Sequence, residues 1–190
     1  MTEREQDLVR IQEALTAAGE AVRPFVPGEV DFEKKSKRGD PLTEADLAAN
    51  EVLMELLPRE GEGWLSEETA DGPERLGCRR VWVVDPLDGT REFVDGIPEW
   101  CISIGLVEDG VPVAGGILSP PNGELILGSV ENGVTLNGNP VASTGRSVLA
   151  GSTILASRSE WNRGEWDRYR DAPFTVEPCG SVAFKLGRVA

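Results

Sequence analysis

The chain has 190 residues, of which 39% are hydrophobic and 27% charged, enough for one substantial core or one complete domain with part of a second, and too few for a large multidomain assembly. Its 33 acidic and 19 basic residues leave a formal charge of -14, which argues against nucleic-acid polymers and anionic membranes as partners and admits a small phosphorylated ligand only if cations or backbone amides neutralise it. There is no histidine, so imidazole acid–base chemistry, His-dependent triads and His–Cys zinc sites are excluded.

Leu8, Ile11, Leu15, Ala18 and Val22 recur at spacings of three and four, which predicts a helix over residues 4–23 that Pro24 ends. A second helix is predicted over residues 44–57, with Ala45, Ala49, Val52 and Leu56 facing the core. The intervening GEVDFEKKSKRGDP is too charged to bury and is expected to run over the surface as a mobile connection. A short strand is expected at GWL.

From Trp82 the period becomes strand-like. VWVV, WCISIGLV, VPVAGGIL and ELILGSV read as strands and VTLNGNPV as a short hairpin, with EDG, PPNG and ENG as turns, which together predict an antiparallel meander covered on one face by the two helices. After Arg146 come GSTILAS as a strand, SEWNRGEWDRYR as a short helix, FTVEP as a strand and GSVAFKLGRVA as a helix. The expected fold is therefore layered α/β, with a helix and antiparallel-sheet region over residues 1–143 and a partial α/β region over 144–190.

Cys78, Cys101 and Cys179 are widely spaced and form no Cys-x-x-Cys pair, which points to a reducing compartment rather than a disulfide framework. The acidic N-terminus and the lack of any apolar run of about 18 residues give neither a secretory signal nor a membrane span, so a cytoplasmic location is expected. Trp82, Trp100, Trp161 and Trp166 sit among apolar neighbours and read as core or rim residues in preference to stacking platforms.

The strongest chemical signal is Trp82-Val-Val-Asp85-Pro-Leu-Asp88-Gly-Thr90-Arg-Glu-Phe93. A hydrophobic strand delivers Asp85 at its end, and Asp88 follows three residues later. Two carboxylates fixed there can share divalent cations, with the Leu87 carbonyl completing a hard oxygen shell. If a helix begins at Gly89, its free amides face any bound anion. The alternative is an ordinary turn at Asp85 with Asp88 as a helix cap. Glu67, in Ser66-Glu67-Glu68 after the GWL strand, is a candidate further ligand or simply an exposed acid. Thr43 and Asp46 form a capping-box pattern, and an Asp fixed in a first helical turn also suits the orientation of a Thr hydroxyl or a water. Together Asp46, Glu67, Asp85, Asp88 and Thr90 describe a site for metal-assisted phosphoryl hydrolysis, in which Thr90 and Asp46 orient the attacking water.

These motifs resemble the magnesium-dependent, lithium-sensitive phosphatases that include inositol monophosphatases, fructose-1,6-bisphosphatases and 3'(2'),5'-bisphosphate nucleotidases. The resemblance implies Mg2+ as cofactor, Glu67, Asp85, the Leu87 carbonyl and Asp88 as its ligands, and Asp46 and Thr90 as the catalytic pair. It also implies a substrate surface at Gly89, Thr90, Arg158, Gly180 and Ser181, with Arg158 equally suited to a surface ion pair. Gly39-Asp-Pro-Leu-Thr43-Glu-Ala-Asp46 and Arg91-Glu92-Phe93 are closer to the nucleotidase pattern and favour hydrolysis of adenosine 3',5'-bisphosphate to AMP, with inositol monophosphatase or a related sugar-phosphate phosphatase as the alternative. Glu160, where nucleotidases often carry His, departs from that pattern. The family's C-terminal Trp-Asp and Glu-Ala-Gly-Gly motifs are missing, which implies a C-terminal truncation and leaves open a non-catalytic metal-binding or interaction homologue. A small phosphorylated substrate is the expected partner, and a homodimer is compatible with this reading.

Overall fold

The computed structural model describes residues 1–34 and 41–189. Helix α1 (Glu3–Val22) opens with a reciprocal cap: the Thr2 hydroxyl accepts from the Glu5 amide and the Glu5 carboxylate accepts from the Thr2 amide. Strands β1 (Glu33–Lys34) and β2 (Pro41–Leu42) pair antiparallel. Lys35 to Asp40, which include part of the charged connection and the Gly39-Asp40 start of the nucleotidase-like segment, lie outside the described residues.

Next come α2 (Glu44–Leu56), β3 (Glu62–Ser66), β4 (Arg80–Asp88) and the short α3 (Thr90–Val94). Strands β5 (Cys101–Glu108), β6 (Val111–Ser119), β7 (Glu124–Ser129), β8 (Gly133–Leu136) and β9 (Asn139–Val141) complete the meander. The chain continues through β10 (Thr153–Ser157), α4 (Arg158–Asn162), β11 (Thr175–Cys179) and α5 (Val182–Val189). The expected SEWNRGEWDRYR helix is thus one turn, followed by a separate 3-10 turn at Asp167–Tyr169. Among the described residues, no helix is long and apolar enough to cross a membrane.

Strands β3 to β9 lie side by side in chain order in one seven-stranded sheet. Pairing is antiparallel from β4 to β9, as the alternating pattern and turns predict. The edge strand β3 runs parallel to β4, so the sheet is mixed. Period-two alternation sorts the side chains between two cores. Leu125 and Leu127 pack with α1 and α2 residues such as Ile11, Leu15, Ala49 and Leu53, together with Trp82 and Ile104. Ile126 joins Ile117, Cys101, Cys179 and Phe184 of α5. Strands β10 and β11 form a separate parallel pair.

The buried face of α2 differs from the expected stripe. Ala45, Ala49, Leu53 and Leu57 are buried, whereas Leu56 is 44% exposed. The polar Asp46 and Asn50 occupy part of the buried arc, which an apolar pattern alone assigns to Val52 and Leu56. Asn50 is satisfied there: its Oδ1 accepts from the Ser66 hydroxyl at 2.6 Å and its Nδ2 donates to Thr69 Oγ1 at 3.2 Å.

Helix α1 also buries charge. Arg4, Asp7 and Arg10 face the ends of β3, β4 and β5. Arg80 donates to Glu62 Oε1 at 3.0 Å and to Glu108 Oε2 at 3.2 Å, and also pairs with Asp7. Burial disfavours the Glu62 anion, but hydrogen bonds from Trp82, Arg10 and Arg80 outweigh it and hold this carboxyl below its ordinary pKa of 4.5. A depressed folded-state pKa contributes stability above the unfolded value, and that contribution disappears as pH falls through the folded one. Glu62→Gln is therefore expected to cost about 2 kcal/mol near pH 7 and to lose less further stability than the parent below about pH 4.5, measured as thermal midpoints between pH 7 and 3.

Candidate active site

The sheet builds the site at one end of β3 and β4. Parallel pairing sets Ser66 opposite Val84, so the next residues, Glu67 and Asp85, emerge side by side. The Glu67 amide donates to the Val84 carbonyl at 3.3 Å. Ser66 Oγ, tied to Asn50, also accepts from the Glu68 amide at 3.2 Å, which fixes the turn after β3. On the other side of β4, Asp85 pairs with Ser103 and Asp88 with Cys101. Three steps along β4 thus oppose two along β5, a bulge that re-aims the Pro86-Leu87 backbone.

Gly89 then takes φ +99°, and a Cβ there would stand 2.9 Å from the Glu99 carbonyl oxygen, 3.1 Å from Trp100 Cβ and 3.2 Å from Ser181 Cβ. Only glycine meets both demands, and the close approach lets α3 start directly at Thr90. The Thr90 hydroxyl lies 2.9 Å from Asp46 Oδ1 and 2.9 Å from the Leu87 carbonyl oxygen, within reach to donate its one proton to either. Asp46 is fully buried, and its Oδ2 accepts from the Thr43 amide at 2.8 Å and the Thr43 hydroxyl at 2.6 Å. The two sequence readings of Asp46 coincide: it closes the capping box of α2 with one oxygen and orients Thr90 with the other.

Glu67, Asp85, Leu87, Asp88, Gly89 and Thr90 line one cavity of about 430 Å³. Arg158, Gly180 and Ser181 line it as well. Every candidate read from the sequence therefore lines this cavity, apart from Asp46, which lies behind Thr90. Burial, then the charges of Glu67 and Asp88 and a hydrogen bond shared with Glu67, push the Asp85 carboxyl up to about 8, against the opposing Leu87 amide. Among the described residues, no three acidic or thiol side chains converge closely enough to hold one ion as they stand. The donor chemistry nevertheless fits magnesium: all donors are oxygens, and a cation offsets both the burial and the neighbouring negative charges that raise the Asp85 carboxyl. Burial also drives the Cys101 thiol far above its ordinary range, despite a hydrogen bond with Ser181, which removes it as a nucleophile.

Sequence reasoning missed several wall residues. Glu92, Asp95, Asn162 and Lys185 line the cavity, and Glu99 stands just behind it. Glu92 lies within the Asp-Gly-Thr-Arg-Glu-Phe signature, and Lys185 follows Ser181 by four residues on a helix, so both left a trace in the sequence. Glu99 left none. The Arg158 guanidinium donates to both Glu99 oxygens, the ion-pair alternative of the sequence reading. Trp82 and Trp100 are buried in the core, with Phe93 edge-on to Trp100 at 4.9 Å.

Comparison with known proteins gives a consistent result. The profile of the Inositol monophosphatase family matches residues 4–190. Inositol monophosphatase 3 of Solanum lycopersicum is 34% identical over 98% of this chain and 74% of its own length. Histidinol-phosphatase of Mycobacterium tuberculosis is 43% identical over 42% of this chain and 31% of its own length. The chain spans about half the length of several other curated relatives that it matches. Among solved structures, the extragenic suppressor protein suhB of Bartonella henselae superposes with a TM-score of 0.81 at 25% identity, covering 97% of this chain and 74% of that one.

Proposed function

Because the chain belongs to the inositol monophosphatase family, we propose that it is a magnesium-dependent phosphomonoester hydrolase acting on the monophosphate of a polyhydroxy alcohol, of the inositol 1-phosphate class. The observation that carries this reading is the Thr90 hydroxyl held between Asp46 and the Leu87 carbonyl at the edge of an acid-lined cavity. Glu67, Asp85, the Leu87 carbonyl and Asp88 would hold the metal. When bound, magnesium neutralises the phosphate and acidifies a water. Thr90 would accept a hydrogen bond from the attacking water while its own proton points to Asp46, so the pair would aim the oxygen and take up its proton as the new P–O bond forms, while the ester P–O bond breaks and the alcohol oxygen leaves with a proton from solvent. The Gly89 and Thr90 amides at the start of α3 are assigned to the ester's phosphate oxygens.

The choice of alcohol rests on the relatives. The relatives that match 98%, 85% and 82% of this chain carry the name inositol monophosphatase, whereas adenosine 3',5'-bisphosphate is supported only by the local Thr43-Glu-Ala-Asp46 and Arg91-Glu92-Phe93 patterns. Specificity depends on wall contacts more than on the hydrolytic core, and two relatives named histidinol-phosphatase make a third substrate worth including. Phosphate release should be measured from inositol 1-phosphate, adenosine 3',5'-bisphosphate and histidinol phosphate, with and without magnesium and lithium. The expected result is magnesium-dependent, lithium-inhibited release with the highest kcat/KM on inositol 1-phosphate. A higher value on the bisphosphate restores the nucleotidase reading, and no release from folded chain with any of the three ends the phosphatase reading.

A further inference from the structure

Glu99 belongs to no motif, yet it is the point where three parts of the chain meet. The Arg158 guanidinium, at the start of α4, donates to both of its oxygens, with Nε to Oε2 at 3.0 Å. The Gly180 amide, just after β11, donates to Oε2 at 2.7 Å. Glu92 closes Gly180 in, since a Cβ on Gly180 would fall 2.3 Å from Glu92 Cγ and Cδ. The following residue, Ser181, has φ +44°, a left-handed conformation that a non-glycine residue keeps only when its surroundings enforce it.

That turn bears directly on the site. Ser181 is 7% exposed. Its hydroxyl donates to Asp88 Oδ2 at 2.7 Å and accepts from the Phe184 amide at 3.0 Å. The Ala183 amide donates to the same Asp88 oxygen. One oxygen of Asp88 is therefore fully engaged by the turn, and the orientation of the other follows from it.

We propose that Glu99 is a positioning residue which, through Arg158 and the Gly180 amide, holds the Gly180-Ser181 turn in its left-handed form and thereby aims the Asp88 carboxylate at the metal. The inference rests on the metal-dependent reading above and adds to it. Arg158 then acts through Glu99 and not on the substrate. Relaxation of Ser181 to negative φ would swing its hydroxyl away from Asp88 and leave that carboxylate free to rotate.

The test uses Mn2+ as a spectroscopic probe, titrated without substrate into the parent chain, Glu99→Ala, Glu99→Gln, Arg158→Met and the Glu99→Ala/Arg158→Met double variant, with kcat, KM and thermal midpoint measured in parallel. Glu99→Ala is expected to weaken Mn2+ binding about tenfold and to lower kcat by a similar factor, with KM for the ester within about twofold of the parent. Glu99→Gln keeps an acceptor for Gly180 and should fall between the two. The double variant should be no worse than Glu99→Ala, because both changes open one contact. Parent-like Mn2+ binding in Glu99→Ala, or in Glu99→Gln if the alanine variant does not fold, overturns the proposal even if the thermal midpoint drops. So does a tenfold rise in KM alone for Arg158→Met, which would place that residue on the substrate. A parent chain that binds Mn2+ but hydrolyses no ester ends the phosphatase reading, while the Mn2+ titrations still decide the role of Glu99.

Discussion

Asp85→Asn should lower magnesium-supported kcat/KM by roughly a thousandfold, about 4 kcal/mol of transition-state stabilisation, without unfolding the protein. The substitution keeps the size of the side chain and removes one of the facing acids at the ends of β3 and β4. The direction of the stability change separates this loss from simple damage. Asp85 has a folded-state pKa of about 8, against an ordinary value of 3.8. A raised acid contributes its full stability below the unfolded value and loses it as pH rises through the folded one. The metal-free parent should therefore lose stability between about pH 4 and pH 8 through this group, and the Asn variant should not. At pH 8 without metal, the variant is expected to melt at or above the parent temperature. Adding magnesium should raise the parent's thermal midpoint and leave the variant's nearly unchanged. A variant that is inactive and also less stable at pH 8 without metal would show that Asp85 serves the fold instead.

The second large effect is expected at Thr90. Thr90→Val preserves shape and removes the hydroxyl that lies 2.9 Å from both Asp46 Oδ1 and the Leu87 carbonyl oxygen. If this hydroxyl orients the attacking water, kcat falls by a factor of about 10² to 10³, while KM and magnesium activation change little. The fold loses about 1 to 2 kcal/mol, because one buried Asp46 oxygen is left without its donor while the other keeps both Thr43 donors. Thr90→Ser restores the donor and should recover most of kcat. Failure of Ser to recover it, or a loss expressed mainly in KM, would remove Thr90 from the chemical step. Steady-state kinetics on the three proteins at saturating magnesium give the answer.

Much of this site was readable from the sequence because its signals are local. The Asp85-Pro-Leu-Asp88-Gly-Thr90 run carries its own geometry, since a buried strand, a bulge and a glycine turn follow one another within a few residues. The meander was equally readable, because Asp109-Gly110 and Asn132-Gly133 mark reversals between alternating apolar segments. Features that depend on tertiary pairing were not. The short GWL run marks a strand and does not encode its direction, so the parallel β3–β4 pairing that sets Glu67 beside Asp85 emerged only from the structure. Glu99 and Arg158 are 59 positions apart and share no periodicity. The buried charges of α1 defeat a hydrophobic count altogether: Arg4, Asp7 and Arg10 lie on the buried face because partners wait on β3, β4 and β5. On α2, Asp46 and Asn50 displace the expected apolar stripe for the same reason.

Strand β3 also limits how the length of this chain can change over evolution. Its far end is anchored by Glu62 to Arg10, Arg80 and Trp82, and its near end by Ser66 to Asn50. Roughly 13 Å of extended backbone separates the two anchors from each other, and side chains along it alternate between faces. Removing or adding one residue between them turns the Glu67 carboxylate to the opposite face of the sheet while every other site residue stays in place. Several residues lost from the connection at 70–77, which joins β3 to β4 outside the cavity lining, carry no such parity penalty. Among natural homologues, the count between the Glu62 and Glu67 positions should accordingly be fixed, and the length of the following connection free to drift.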